Sequence, residues 1–78
     1  MRILVVEDEI KLADIIRRGL EEVGYAVDIS HDGDEGEFLA ITFQYDLIVL
    51  DIILPKKDGI EVCTGLRQKK VNSRILML

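Results

Sequence analysis

The chain reads as short apolar runs separated by segments whose apolar residues recur at helical spacing. Ile3-Leu4-Val5-Val6 is continuous, aliphatic and partly β-branched, the pattern of a strand covered on both faces. It stops at Glu7-Asp8-Glu9. Leu12, Ile15, Ile16, Leu20 and Val23 then recur at spacings of three and four, which predicts a helix with these residues on its buried face. The acids at its start and Arg17-Arg18 further on suit the helix dipole, and Gly24 supplies a C-terminal stop.

Tyr25-Ala26-Val27-Asp28-Ile29 alternates more and predicts a second strand, nearer an edge. Asp32-Gly33 reads as a turn. From Asp34 to Phe43 a short helix is expected, with Leu39, Ala40 and Phe43 sharing a face, although Gly36 weakens it. Asp46-Leu47-Ile48-Val49-Leu50 is a third strand, followed by a loop punctuated by Pro55 and Gly59. Ile60 to Lys69 is a third helix, offering Cys63 and Leu66 to an interior behind Asp58 as N-cap. Arg74-Ile75-Leu76-Met77-Leu78 is a fourth strand.

The resulting order, β-α-β-α-β-α-β with short links, implies an α/β fold with a parallel sheet and right-handed crossovers. At 78 residues, one domain is the ceiling. A hydrophobic fraction of 49% suits a folded core rather than disorder. Ten Lys+Arg against fifteen Asp+Glu give a net charge of −5, and no basic stripe stands ready for phosphates, so nucleic-acid contact by this segment is not expected. The single cysteine excludes an intramolecular disulfide. Met1 to Val6 is too short, and too soon followed by acids, for a signal peptide, and no apolar run approaches the roughly 20 residues of a membrane span. A cytoplasmic protein is the expectation.

Ligands of open parallel sheets bind beyond the carboxyl ends of the strands. Three acids stand there: Glu7 and Asp8 after the first strand, Asp51 after the third. If those strands are neighbours, the carboxylates converge, and their repulsion raises a pKa or recruits a cation. Oxygen-only ligands on a loop-rich rim favour Mg²⁺. Beside such an ion, a carboxylate is placed to take a phosphoryl group. Single acids after strands are most often solvated loop residues; three at the ends of the two most apolar strands are a different matter.

Val5-Val6-Glu7-Asp8-Glu9, then Leu47-Ile48-Val49-Leu50-Asp51-Ile52-Ile53-Leu54-Pro55, then Asp58-Gly59 resemble the receiver domains of two-component response regulators. The likeness spans essentially the whole chain. Its opening and Tyr45-Asp46-Leu47 look most like the subfamily with a winged-helix DNA-binding effector. The resemblance implies a flavodoxin-like fold with strand order 2-1-3-4-5, here stopping after the fourth strand, so that residues 1–78 form a partial receiver. It implies Asp51 as phosphoacceptor, Asp8 and Asp51 as Mg²⁺ ligands with the Ile53 backbone carbonyl, and Glu7 helping through a water or an outer contact. The phosphodonor it implies is a phosphohistidine of a sensor kinase, and DNA binding belongs to an effector domain of the parent. Receivers also carry a Ser or Thr ending the fourth strand and a Lys ending the fifth. Leu78 comes just before the first is due, and Lys56, Lys57, Lys69 and Lys70 do not match the second.

An apolar strand ending at Leu78 leaves an unpaired edge. Self-association through that edge or the first helix is therefore expected, and a self-assembling half-flavodoxin without phosphoryl chemistry is the alternative reading. A haloacid-dehalogenase-type phosphohydrolase needs a second Asp where Ile53 stands, and Glu7-Asp8-Glu9 replaces the Gly-rich turn of a dinucleotide site. His31 reads as a solvated loop residue, Cys63 as a packed thiol and Lys56-Lys57 as an exposed, solubilising pair. Arg17-Arg18 reads as a solvated helix face, Asp58-Gly59 as a cap and turn, and Pro55 as fixing the loop after Asp51.

Overall fold

The computed structural model describes residues 1–78. Its elements are β1 (Arg2–Val6), α1 (Ile10–Glu22), β2 (Ala26–Ser30), α2 (Gly33–Thr42), β3 (Leu47–Leu50), α3 (Gly59–Gln68) and β4 (Arg74–Met77). The strands form one parallel sheet in the order β2-β1-β3-β4. The two most apolar strands, β1 and β3, are the central neighbours, and β2 lies at an edge as its alternation suggested.

Side chains alternate across the sheet, so each central strand feeds two cores. Leu4, Val6, Ile48 and Leu50 pack with Ala40, Tyr45, Leu54, Val62 and Leu66 on the α2–α3 side. Ile3, Val5 and Val49 face Ile16 and Leu20 of α1 on the other. The continuous apolar runs therefore mean burial on both faces.

The buried face of α1 is narrower than the one predicted: Ile16 and Leu20 pack as expected, but Leu12, Ile15 and Val23 do not. Ala13 is its only buried residue, with Ile16 and Leu20 half-buried, whereas Ile15 and Val23 are 67% and 68% exposed. A lone helix over three sheet residues needs only a narrow stripe, and successive helical positions point about 100° apart, so Leu12 and Ile15 fall outside it. The dipole reading holds only at the start, where Glu9 is the N-cap, since Arg17 and Arg18 lie before the last turn, which carries no basic residue. Arg17 instead pairs with Asp14 and Glu21, and Arg18 with Asp14. The stop is as expected. Gly24 has φ +98° and donates to Glu21 O at 2.9 Å, while Tyr25 N–H reaches Leu20 O at 3.2 Å, the paired bonds of a Schellman end.

Helix α2 begins earlier than predicted, because Asp32 is its N-cap, accepting Glu35 N–H at 2.8 Å. Gly36 is required rather than tolerated: a Cβ there would lie 2.8 Å from Val6 Cγ1, so its absence lets α2 sit down on β1. Phe43 is not core. It caps α2 and lies under the Arg2 guanidinium, 5.4 Å from its ring centroid. For α3 the Asp58 cap holds, completed by Glu61 as a capping box. Val62 joins Leu66 as the buried pair, with Cys63 half-buried against the core. No helix is long and apolar enough to cross a membrane.

Candidate metal centre

Parallel pairing of β1 with β3 sets Val6 opposite Leu50, so Glu7 and Asp51 leave the sheet side by side. Backbone bonds hold both departures: Asp51 N–H donates to Val6 O at 3.1 Å and Glu7 N–H to Ser30 O at 2.9 Å. One carboxylate oxygen from each of Glu7, Asp8 and Asp51 lies within 4.8 Å of the others. The predicted convergence is real.

The three acids differ in surroundings. Glu7 is 4% exposed, Asp51 half-buried and Asp8 exposed. Burial is the first cause raising the Glu7 carboxyl above its ordinary range; the Glu9 N–H, donating to Oε2 at 3.0 Å, opposes it, and the charges of Asp51 and Asp8 push it further up. A buried acid under pressure from two others is relieved by a hard cation, and an all-oxygen donor set of this size fits Mg²⁺. Ile53 sits beside the cluster, its N–H donating to Asp51 Oδ1 at 3.3 Å and its residue 80% exposed.

Several residues shape the loop after Asp51. A Cβ on Gly59 would lie 2.2 Å from Asp51 O, and one on Gly33 would lie 1.7 Å from Lys57 O. Only glycine allows α2 and α3 to start this close to the loop. Pro55 O accepts from Gly33 at 3.2 Å and from Lys57 at 2.8 Å, and Lys56 is left-handed at φ 70°. The lysine pair is more than a solubilising one. Lys57 Nζ bonds Glu37 Oε1 at 3.0 Å, which raises its pKa, and Lys56 Nζ lies 3.8 Å from Asp32 Oδ2. Both tie the loop to α2 or its cap.

His31 was expected to be merely solvated. It is exposed, yet its Nδ1 lies 2.8 Å from the carbonyl oxygen of Glu7. A carbonyl only accepts, so Nδ1 carries the hydrogen. Nothing in the sequence signals this bond, because it joins segments 24 positions apart.

The family model for the response regulator receiver domain matches residues 3–78. The chain belongs to this family. Among curated relatives, this receiver is 51% identical over 77 residues to the alkaline phosphatase synthesis transcriptional regulatory protein PhoP of Bacillus subtilis, covering 99% of the chain and 32% of PhoP. It is 42% identical over 78 residues to the transcriptional regulatory protein CusR of Escherichia coli, covering 100% of the chain and 34% of CusR. The receiver thus spans about a third of the length of these relatives. Among solved structures it is similar to the receiver domain of Francisella response regulator 1452, with TM-score 0.94, 36% identity and coverage of 97% and 63%. It is also similar to TrrA of Thermotoga maritima in complex with Mg²⁺-BeF, with TM-score 0.92, 37% identity and coverage of 97% and 66%. The flavodoxin-like sheet order implied by the motifs is the one observed.

Proposed function

We propose that this receiver accepts a phosphoryl group on Asp51 from a phosphohistidine of a sensor kinase. The observation that carries this is the gathering of Glu7, Asp8 and Asp51 within 4.8 Å at the carboxyl end of the central strands. In this reading Asp8, Asp51 and the Ile53 backbone carbonyl hold Mg²⁺, with Glu7 acting through a water. The ion supplies charge neutralisation for the phosphoryl oxygens. An Asp51 carboxylate oxygen bonds to phosphorus as the P–N bond breaks, and the imidazole leaves with that electron pair and takes up a proton. The chain is then substrate and catalyst of its own modification, not an enzyme acting on others. The Mg²⁺-BeF complex of the similar TrrA supports the choice of cation.

On the same reading residues 1–78 are a partial receiver of a cytoplasmic transcriptional regulator, whose winged-helix domain meets the DNA. The relatives' names support a transcriptional regulator as the parent, and coverage of 63% of a similar receiver-domain chain supports a partial receiver. The test is intact mass after incubation with Mg²⁺ and acetyl phosphate. An adduct dependent on both Mg²⁺ and Asp51, absent in Asp51→Asn, is expected; a folded chain that gains none refutes the reading.

A second reading, assembly of a half-flavodoxin, is favoured by Leu76 on the edge strand β4 at 52% exposure and by Ile15 on α1 at 67%. Self-association would cover either surface. Light scattering that reports a monomer at every concentration removes it.

A further inference from the structure

We propose that His31 is a positioning residue for the acid cluster, acting through the peptide that joins Glu7 to Asp8. This rests on the reading of Glu7, Asp8 and Asp51 as the Mg²⁺ and phosphoacceptor site. The bond from His31 Nδ1–H to Glu7 O is 2.8 Å long. That oxygen belongs to the peptide plane leading directly into Asp8, so a donor on it fixes the direction in which the Asp8 carboxylate departs. Two further polar atoms of Glu7 are held as well: its N–H by Ser30 O at 2.9 Å and its Oε2 by Glu9 N–H at 3.0 Å. The first of these bonds continues the β1–β2 ladder and the second is local. Only the imidazole reaches this carbonyl from beyond the end of β2.

The backbone on either side of His31 is held. Ser30 is fully buried and its Oγ donates to Asp32 O at 3.0 Å, bracketing the histidine between a strand end and the cap of α2. His31 also lines an open surface cavity of about 210 Å³ between α1 and β2, with Ile10, Ala13, Asp14, Arg17 and Ile29 as the other walls. His31 therefore lies between the α1–β2 seam and the peptide that joins Glu7 to Asp8. Metal ligands are commonly oriented by such outer bonds, whose loss weakens binding by about ten- to a hundredfold.

The experiment compares wild type, His31→Ala and His31→Asn by amide hydrogen exchange and by Mg²⁺ titration followed by NMR. Asn carries its donor nitrogen on Cγ, as Nδ1 is carried in histidine, so it can replace the bond. In His31→Ala the Glu9 amide, held by Glu7 Oε2 at 3.0 Å, is expected to exchange faster while β3 amides keep their protection, with Mg²⁺ affinity down about tenfold. In His31→Asn both properties return toward wild type. Should His31→Ala fail to fold, His31→Phe fills the ring's space without the donor. Unchanged Glu9 exchange in the donor-free variant, or no recovery with Asn, overturns the proposal. The exchange comparison needs no metal. A wild type that binds no Mg²⁺ therefore refutes the phosphoacceptor reading, while the exchange result still decides the role of His31.

Discussion

Gly59 presses directly on the backbone of Asp51: a methyl group added to it would sit 2.2 Å from the Asp51 carbonyl oxygen. The first residue of α3 thus rests on the candidate phosphoacceptor, and its N–H donates to Ile52 O at 2.8 Å. Gly59→Ala must move one backbone or the other. Such overpacking costs about 1–3 kcal/mol, and urea unfolding is expected to show a loss of that size. Mg²⁺ affinity should fall with it, because the atom displaced carries Asp51. Gly19 is the contrast, mid-helix in α1 with nothing within 4 Å of an added Cβ. Gly19→Ala is expected to stabilise by about 0.5–1 kcal/mol in the same assay.

Asp51→Asn removes one of three mutually repelling carboxylates. Without Mg²⁺ it is expected to gain stability, by about 1 kcal/mol for unit charges at this separation in a solvated site. With Mg²⁺ the order reverses, since wild type gains from ligation and the variant does not. Thermal melts with and without the ion check both signs. A wild type that gains nothing from Mg²⁺ contradicts the second.

Glu7 gives the apo site its pH dependence. Its folded-state carboxyl is raised, first by burial, so the stability linked to its proton is fully present below the unfolded-state pKa. That stability is lost as pH rises through the folded-state value. Mg²⁺ needs the carboxylate, so stabilisation by Mg²⁺ should grow over the same rise. Urea titrations from mildly acidic to neutral pH, with and without Mg²⁺, are expected to diverge in wild type and to run more nearly parallel in Glu7→Gln.

Far from the acids, Tyr45 OH donates to Asp28 Oδ2 at 2.6 Å while Arg2 bonds the same oxygen at 2.9 Å. Burial, then the Asp28 carboxylate, pushes the Tyr45 phenol from 10.0 up to about 12, so its contribution to stability is lost as pH rises across that interval. Asp28 is lowered, first by Tyr45, so its contribution is present above its unfolded pKa and lost as pH falls through the folded one. Tyr45→Phe should cost about 1–2 kcal/mol at neutral pH, discounted because Asp28 is partly solvated. The variant should also lack the wild type's alkaline decline, which pH-resolved unfolding would reveal.

Much of this was legible in the amino-acid order. Local patterns determined the alternation of strands and helices, the stop at Gly24, the Asp58 cap and the placement of Glu7, Asp8 and Asp51 after apolar strands, because caps, turns and buried strands are written in short segments. Motif spacing carried the family. Periodicity left open whether β1 and β3 are neighbours; the family resemblance implied it, and the tertiary structure shows it together with the meeting of the three carboxylates. The tertiary structure also narrowed the predicted stripe of α1 to Ile16 and Leu20 with Ala13, leaving Leu12, Ile15 and Val23 exposed. It gave Gly33, Gly36 and Gly59 their necessity through backbones and side chains distant in sequence. His31 and the Lys57–Glu37 pair belong with these. Each depends on which surfaces a crossover brings within a few ångströms, and periodicity, which reports only one element's own face, holds no information about the neighbour it will meet.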